Sequence, residues 1–194
     1  VLGGDDAFNE KLDKIFSMSS EQEIGASMDI TGLIGQYAHG NEPSHHTTYM
    51  YAFSGQPYKI ADKVRYINNE LYTDQPDGLS GNEDCGQMSA WYIFSSIGFY
   101  PVNPSNGAYV FGSPLFDNVE IDVPGRKKFT VKTVNNSDEN IYIQSVFLNG
   151  KKYDYSYITH KQITNGGELK FIMGSKPNYG FGVNEKYRPK SIVY

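Results

Sequence analysis

The chain reads Gly81-Asn-Glu-Asp-Cys-Gly-Gln-Met-Ser-Ala-Trp-Tyr-Ile-Phe94, a polar turn that passes directly into an apolar run. The run is hydrophobic nearly all round a helix, which is typical of a buried helix, so we expect that helix over about residues 86–97. The turn, residues 81–87, is called here the second polar cluster. A helix cap needs one Asn, Asp or Ser side chain, so Glu, Asp and Gln together indicate more than capping.

A first polar cluster lies upstream at residues 39–46 and reads His-Gly-Asn-Glu-Pro-Ser-His-His. It holds three of the four histidines of the chain, and its proline suits the first position of a helix. Both clusters therefore mark places where a loop turns into a helix. Carboxylates, amides and imidazoles gathered at helix entrances can perform acid–base chemistry, bind sugar hydroxyls or hold a metal.

Composition narrows the class of protein. The 194 residues suffice for one large domain or two small ones. The net charge is −5 and no basic stripe is present, so we expect no nucleic-acid partner. No apolar stretch reaches about 18 residues, so we expect no membrane span. The single cysteine, Cys85, excludes an internal disulfide, and we expect it to be a small buried hydrophobe.

Helical patterns fill the first hundred residues. Asp6 is the expected cap of a first helix, and a second helix is expected from Pro43 to Phe53. A third has apolar residues at the helical spacing i, i+4, i+7 and i+11, namely Ile60, Val64, Ile67 and Leu71. The buried run that follows the second cluster is the fourth.

The second half changes to the period-two alternation of strands. Four segments show it or an apolar strand pattern: Val119–Val123, Phe129–Val134, Ile141–Leu148 and Leu169–Met173. Helices followed by strands predict an α+β protein with segregated parts. We place the helical part at residues 1–104 and an antiparallel β-sheet or sandwich at residues 105–194.

The motifs resemble those of glycoside hydrolase family 92, the calcium-dependent exo-acting α-mannosidases of bacteria. The resemblance covers nearly the whole chain. It runs through both polar clusters and continues through Pro76–Leu79, Gly98–Pro101 and Tyr109–Phe116. It implies that the helices form part of an (α/α)6 toroid, followed by the β region.

The resemblance also implies an activity, the inverting, Ca²⁺-assisted hydrolysis of terminal α-mannosyl linkages. We expect an α-1,2 linkage in a mannose-containing glycan such as mannan or an N-glycan. By the same resemblance, the chain is the C-terminal part of its enzyme, and its partner is the N-terminal part of the same polypeptide. The general acid is expected before Val1, so we expect the chain alone to be inactive. The expected location is periplasmic, secreted or cell-surface in a bacterium.

Asp84 is the expected base, with Glu83 beside it as the second catalytic candidate. An inverting glycosidase needs a carboxylate that activates water on the face opposite the leaving group. The family often has an acidic residue where this chain has Asn82, so the base is expected to be Asp84 alone or the specificity to be shifted. The alternative is that Asp84 caps the helix and Glu83 is a charge-favoured residue of its first turn.

The remaining candidates bind metal and substrate. Asn41 and Glu42 carry hard oxygens, which suit Ca²⁺. For substrate hydroxyls, or for orienting the loops, the candidates are His39, Glu42, His45, His46 and Gln87. A zinc hydrolase that uses the adjacent residues His45 and His46 is disfavoured. Neighbouring side chains on a helix diverge by about 100°, so the two do not share one metal well. Trp91 is expected in the core.

A non-catalytic carbohydrate-binding or structural module is the alternative function. Tyrosine-rich β domains often bind sugars on one face, and this chain has 16 tyrosines. The feature that separates the two functions is the bunching of Glu42, Glu83 and Asp84, which a binding module does not need.

Overall fold

The three longer helices occupy the first half of the chain in the computed structural model, which describes residues 3–21 and 30–191. Helix α1 spans Asp5–Ser17, and α2 spans Tyr58–Glu70. Between them lie the short antiparallel strands β1 (Leu33–Ile34) and β2 (Tyr37–Ala38). Helix α3 spans Gln87–Ile97. The helices thus lie close to where the apolar spacing predicts them.

Apolar spacing accounts for the first two α-helices. Ile60, Val64 and Ile67 are fully buried along one face of α2, as the i, i+4, i+7 pattern predicts. In α1, Leu12 is buried. The expectation that Asp6 caps α1 is wrong. Gly4 occupies the cap position, so no side chain caps the helix. Asp6 lies in the first turn, where the helix dipole stabilises a negative charge.

The second expected helix is not an α-helix. Two 3₁₀ segments, Glu42–Ser44 and Thr47–Ala52, replace it. The hydroxyl of Ser44 lies within hydrogen-bond distance of two backbone carbonyls, those of Ala38 and Asn41, and its single proton is shared between them. Such local bonds compete with a regular helix, and hydroxyl and β-branched residues are poor helix formers.

Helix α3 is buried on one side only. Met88 and Trp91 are fully buried there, which confirms the core placement of Trp91, whereas Ile93 is 56% exposed. The expectation of burial all round is therefore wrong. The helix ends at Gly98, whose φ of 112° lies in the left-handed region and whose backbone N–H caps the last carbonyls.

Strands fill the second half and form two sheets. The strands and one short helix in chain order are β3 Phe99–Asn103, β4 Ala108–Phe111, β5 Asn118–Val123, β6 Lys127–Val134, β7 Tyr142–Leu148, β8 Lys151–Lys152, β9 Tyr157–Thr159, α4 His160–Thr164 and β10 Gly167–Gly174. Further 3₁₀ segments are Pro104–Asn106 and Glu185–Tyr187. The five-stranded sheet has the order β5-β6-β10-β7-β8, and the three-stranded sheet has the order β3-β4-β9.

The prediction of a purely antiparallel sheet is wrong at one pair. Strand β10 runs parallel to β6 and antiparallel to β7, so the five-stranded sheet is mixed. The segment that joins β6 to β10 contains β7, β8, β9 and α4, and it is long enough for the crossover that a parallel pair requires. The α+β class is confirmed, whereas the (α/α)6 toroid stays a prediction.

Two hydrophobic cores hold the chain together. One joins the helices and includes Tyr49 and Trp91, and the other lies against the five-stranded sheet and includes Phe129 and Phe171. Phe94 packs against both cores. The three-stranded sheet combines strands from either side of residue 104, and the domain boundary there stays a prediction. In the described residues, no helix is long and apolar enough to cross a membrane.

Candidate active site

Glycines bring the two polar clusters into backbone contact. A Cβ on Gly40 would overlap the carbonyl oxygen of Ser80 and the hydroxyl of Thr31, and a Cβ on Gly81 would lie 3.1 Å from the Cα of Gly40. The Thr31 hydroxyl donates to the Ser80 carbonyl. Only residues without a side chain permit this approach, so residues distant in sequence form one polar region.

His45 and Gln87 connect the clusters through side chains. Nε2 of His45 donates to the backbone carbonyl of His39 at 2.9 Å, because a carbonyl can only accept. Nδ1 of His45 is therefore the acceptor for Nε2 of Gln87 at 3.1 Å. The same amide nitrogen donates to the Tyr100 hydroxyl at 3.0 Å. These bonds fix one neutral tautomer of His45.

His39 is held in the same manner. The Tyr72 hydroxyl donates its proton to the carbonyl of Met88 at 3.0 Å, so it accepts from Nε2 of His39 at 2.7 Å. Nδ1 of His39 then accepts from the Tyr37 hydroxyl at 2.8 Å. Both ring nitrogens of His39 are therefore occupied by protein groups.

Both buried histidines are neutral. Burial, together with the smaller effect of the neighbouring ring of His45, lowers the pKa of His39 to about 3. Burial also lowers the pKa of His45, although its bond to the His39 carbonyl works in the opposite direction. The two rings stack 4.6 Å apart. This placement favours the loop-orienting role for His39 and His45 over contact with a substrate.

Zinc binding by the adjacent pair His45 and His46 finds no support in this geometry. His45 is buried, with both nitrogens bonded to the protein, while His46 is exposed. Within the described ranges 3–21 and 30–191, no three His, Cys, Asp or Glu side chains form a group that could hold a metal ion.

Glu83 is bound to the start of α3. Its Oε1 accepts from the backbone N–H of Ser89 at 2.9 Å, and its Oε2 accepts from the Ser89 hydroxyl at 2.8 Å. Gly86, with a φ of 91°, occupies the cap position, and no side chain caps the helix from there. The alternative that Asp84 caps α3 is therefore wrong.

The turn between Glu83 and α3 is strained. Asp84 and Cys85 have φ values of 45° and 57°, in the left-handed region that L residues other than glycine rarely adopt. Cys85 is exposed, so the expectation of a buried hydrophobe is wrong, because the turn directs this residue outward. Backbone strain of this kind clusters at functional sites.

Five polar side chains of the clusters remain unused by the fold: Asn41, Glu42, His46, Asn82 and Asp84. Glu42 is half-buried and the other four are exposed. None of the five makes a side-chain hydrogen bond or ion pair with a residue that the structure describes. The structure thus divides the predicted residues into a group that builds the loops and a group that is accessible to a ligand. Their catalytic and binding roles stay predictions.

The donor chemistry of Asn41 and Glu42 fits calcium. Asn41 begins a 3₁₀ segment without using its side chain as a cap, so its oxygen is available, as is the carboxylate of Glu42. Ca²⁺ takes about six to eight oxygens, and these two side chains supply part of that number. Backbone carbonyls, water and substrate hydroxyls are the remaining sources.

Four residues of this region were not among the sequence candidates: Tyr37, Tyr72, Ser89 and Tyr100. They hold His39, Glu83 and Gln87 in place. The bond from His39 to Tyr72 joins residues that are 33 positions apart, and no spacing rule relates such positions.

Comparison with known proteins gives one family. The model of the glycosyl hydrolase family 92 catalytic domain matches residues 1–175. A curated relative from Arthroderma benhamiae, described as an uncharacterized secreted glycosidase, is 35% identical over 150 residues. That match covers 75% of this chain and 19% of the relative.

Solved structures agree with the family match. A family GH92 α-mannosidase from Bacteroides thetaiotaomicron, in complex with mannoimidazole, has a TM-score of 0.92 and 43% identity over 97% of this chain. A family GH92 inverting mannosidase from the same bacterium has a TM-score of 0.84 and 37% identity over 98% of this chain. The chain spans 25% and 27% of these two proteins.

Proposed function

The chain belongs to glycosyl hydrolase family 92, and from this premise we propose that it forms part of an α-mannosidase that removes terminal α-mannosyl groups. The observation that carries the proposal is the state of Asp84. Its carboxylate is exposed, lies on a strained turn and has no hydrogen-bond or ion-pair partner among the described residues. The start of the helix does not require the Asp84 carboxylate as a cap, because the Glu83 carboxylate already accepts a hydrogen bond there.

The proposed mechanism is inversion, in which Asp84 acts as the base. Its carboxylate takes a proton from a water molecule as the water oxygen bonds to the anomeric carbon. The bond to the leaving oxygen breaks, and a general acid donates a proton to that oxygen. We assign the general acid to none of the described residues. The proposal is supported by the solved relative that is 37% identical to this chain, because that protein is described as an inverting mannosidase.

Calcium is the proposed cofactor, with Asn41 and Glu42 among its ligands. Bound there, it would supply charge that orients and polarises sugar hydroxyls. The protein residues have separate tasks. His46, exposed beside the ligands, is proposed to bind a sugar hydroxyl, while Gln87 and the buried histidines hold the two clusters together.

The proposed substrate is a mannan or an N-glycan that ends in an α-1,2-linked mannose, with Asn82 as a candidate for shifting that preference. We also propose that the protein works outside the cytoplasm, which the description of the fungal relative as secreted supports. The non-catalytic module is not favoured, because the family model that matches is that of a catalytic domain.

The test is an assay of the full-length protein on an aryl α-mannoside with Ca²⁺, followed by proton NMR. Inversion of an α-mannoside releases β-mannose first, and α-mannose then appears by mutarotation. An aryl α-glucoside serves as the control substrate. Binding of mannosides without hydrolysis would support the non-catalytic module instead, and initial release of α-mannose would contradict the inverting mechanism.

A further inference from the structure

Glu83 uses both carboxylate oxygens on one residue of α3. The backbone N–H and the hydroxyl of Ser89 each bind a different oxygen, at 2.9 and 2.8 Å. Bonds between a donor and an ionised carboxylate are stronger than those between neutral groups. The pair therefore ties the residue before Asp84 to the third residue of the helix.

The first four backbone N–H groups of α3 are all satisfied without the side chain of Asp84. Gln87 donates to the carbonyl of Asp84 at 3.2 Å, and Met88 donates to the carbonyl of Glu83 at 3.3 Å. Ser89 donates to the Glu83 carboxylate at 2.9 Å. Ala90 donates to the Gly86 carbonyl at 2.8 Å. Because helix starts normally recruit such a side chain, this arrangement leaves the Asp84 carboxylate uncommitted.

The same bonds hold the backbone of residues 84–86 in an unfavourable conformation. Asp84, Cys85 and Gly86 have consecutive φ values of 45°, 57° and 91°. The left-handed region is disfavoured for Cys85, and Asp adopts it only occasionally. Such a turn persists only where the surrounding contacts determine it. Glu83 and Ser89 close it from its two ends.

We propose that Glu83 is a positioning residue, which with Ser89 forms a clamp that fixes the Asp84 turn, and that Glu83 does not exchange a proton with the substrate. This inference rests on the proposed function, since Asp84 is the group being positioned. It changes the catalytic role that the sequence suggests for Glu83 into a supporting one.

Substitution by glutamine separates the two roles. In Glu83→Gln the amide oxygen can accept from the Ser89 N–H, and the amide nitrogen can donate to the Ser89 hydroxyl, which also accepts. The clamp therefore survives without the charge. A residue that transfers a proton would lose its function with either glutamine or alanine, whereas a clamp fails only with alanine.

The experiment measures kcat and KM of the full-length enzyme on an aryl α-mannoside for Glu83→Gln, Glu83→Ala, Ser89→Ala and Asp84→Asn. We expect Glu83→Gln to keep kcat within about tenfold, and Glu83→Ala to lower kcat roughly 10²-fold, as a displacement of about 1 Å does. KM should change by less than about threefold, because the clamp acts on the base and not on ligand binding. Glu120→Gln, an exposed change on β5, is the control and should match the wild type.

Calorimetric titration with mannoimidazole gives the fraction of correctly folded sites in each variant. Should Glu83→Ala fail to fold, the comparison of Ser89→Ala with Glu83→Gln still decides, since the clamp predicts a lower kcat for Ser89→Ala. Loss of activity in Glu83→Gln equal to that in Asp84→Asn, at full binding stoichiometry, would overturn the clamp. Full activity of Glu83→Ala would also overturn it. Absence of mannosidase activity in the wild type would instead refute the proposed function.

Discussion

Nδ1 of His45 and Nε2 of Gln87 lie 3.1 Å apart and join the two polar clusters by a partly buried hydrogen bond. The residues are 42 positions apart in sequence. Around them, Trp91 donates to the carbonyl of His45 at 3.2 Å, and Gln87 also donates to Tyr100. These bonds hold the 3₁₀ segments around His45 against the first turns of α3.

Gln87→Met should destabilise the full-length protein by about 1–3 kcal/mol. The substitution preserves the length of the side chain but leaves Nδ1 of buried His45 without a donor, which carries the desolvation cost of an unsatisfied polar group. Denaturant unfolding measures the change. Gln75→Met, at an exposed position, is the matched control and should stay within about 0.5 kcal/mol of the wild type. Equal effects of the two substitutions would mean that the bond between the clusters contributes little.

Asp84→Asn should abolish turnover of an aryl α-mannoside by the full-length enzyme while mannoimidazole still binds. A base acts mainly in the transition state, so its loss lowers kcat more than it weakens ligand binding. Steady-state kinetics and calorimetry measure the two effects. A variant that retained more than about a tenth of the wild-type kcat/KM, a loss of about 1.4 kcal/mol or less, would show that Asp84 is not the base.

Sequence patterns predict the parts of the fold that depend on local periodicity. The apolar spacing of Ile60, Val64 and Ile67 predicts α2 because one face of a helix repeats at that interval. The parallel pairing of β10 with β6 escapes prediction, because alternation along a strand is the same for both directions of pairing. The 3₁₀ segments after Asn41 escape it because the competing bonds of Ser44 depend on where Ala38 lies.

The candidate site shows the same limit. The residue types of the two clusters predict that a polar site exists. They do not predict which side chains form hydrogen bonds within the protein and which stay accessible to a ligand. Sequence reasoning makes His46 a candidate for binding hydroxyls or orienting loops, and His39 a weaker candidate for the same role. In the structure His39 is buried between two tyrosine hydroxyls, whereas His46 is exposed. That division depends on contacts with Tyr37 and Tyr72, which only the folded chain brings together.

A chelator should remove the activity of the full-length enzyme, and Ca²⁺ should restore it better than Zn²⁺. The reason is the oxygen chemistry of Asn41 and Glu42 together with the occupied nitrogens of His39 and His45. Activity is measured after dialysis against EDTA and stepwise addition of each ion, and Glu42→Gln should raise the Ca²⁺ concentration needed for half-maximal activity. Recovery with Zn²⁺ alone would contradict the assignment.

Gly40→Ala should force the two clusters apart, and it tests whether their contact matters for catalysis. The added methyl group would overlap the carbonyl oxygen of Ser80, a backbone atom that cannot rotate away. Overpacking of this kind costs about 1–3 kcal/mol, so the free energy of unfolding should fall by that amount. Because Asp84 lies on one cluster and Asn41 on the other, kcat should also fall, by roughly 10²-fold for a displacement of about 1 Å.

Gly180→Ala provides the control for Gly40→Ala, because Gly180 is exposed and the nearest atom to an added Cβ there is 3.4 Å away, on the side chain of Asn178. It should leave stability and kcat unchanged. The two measurements on Gly40→Ala also separate two causes. A fall in stability with normal kcat, measured well below the unfolding transition, would mean that the contact only supports the fold. A fall in kcat at full mannoimidazole stoichiometry would mean that catalysis requires the two clusters at their native separation.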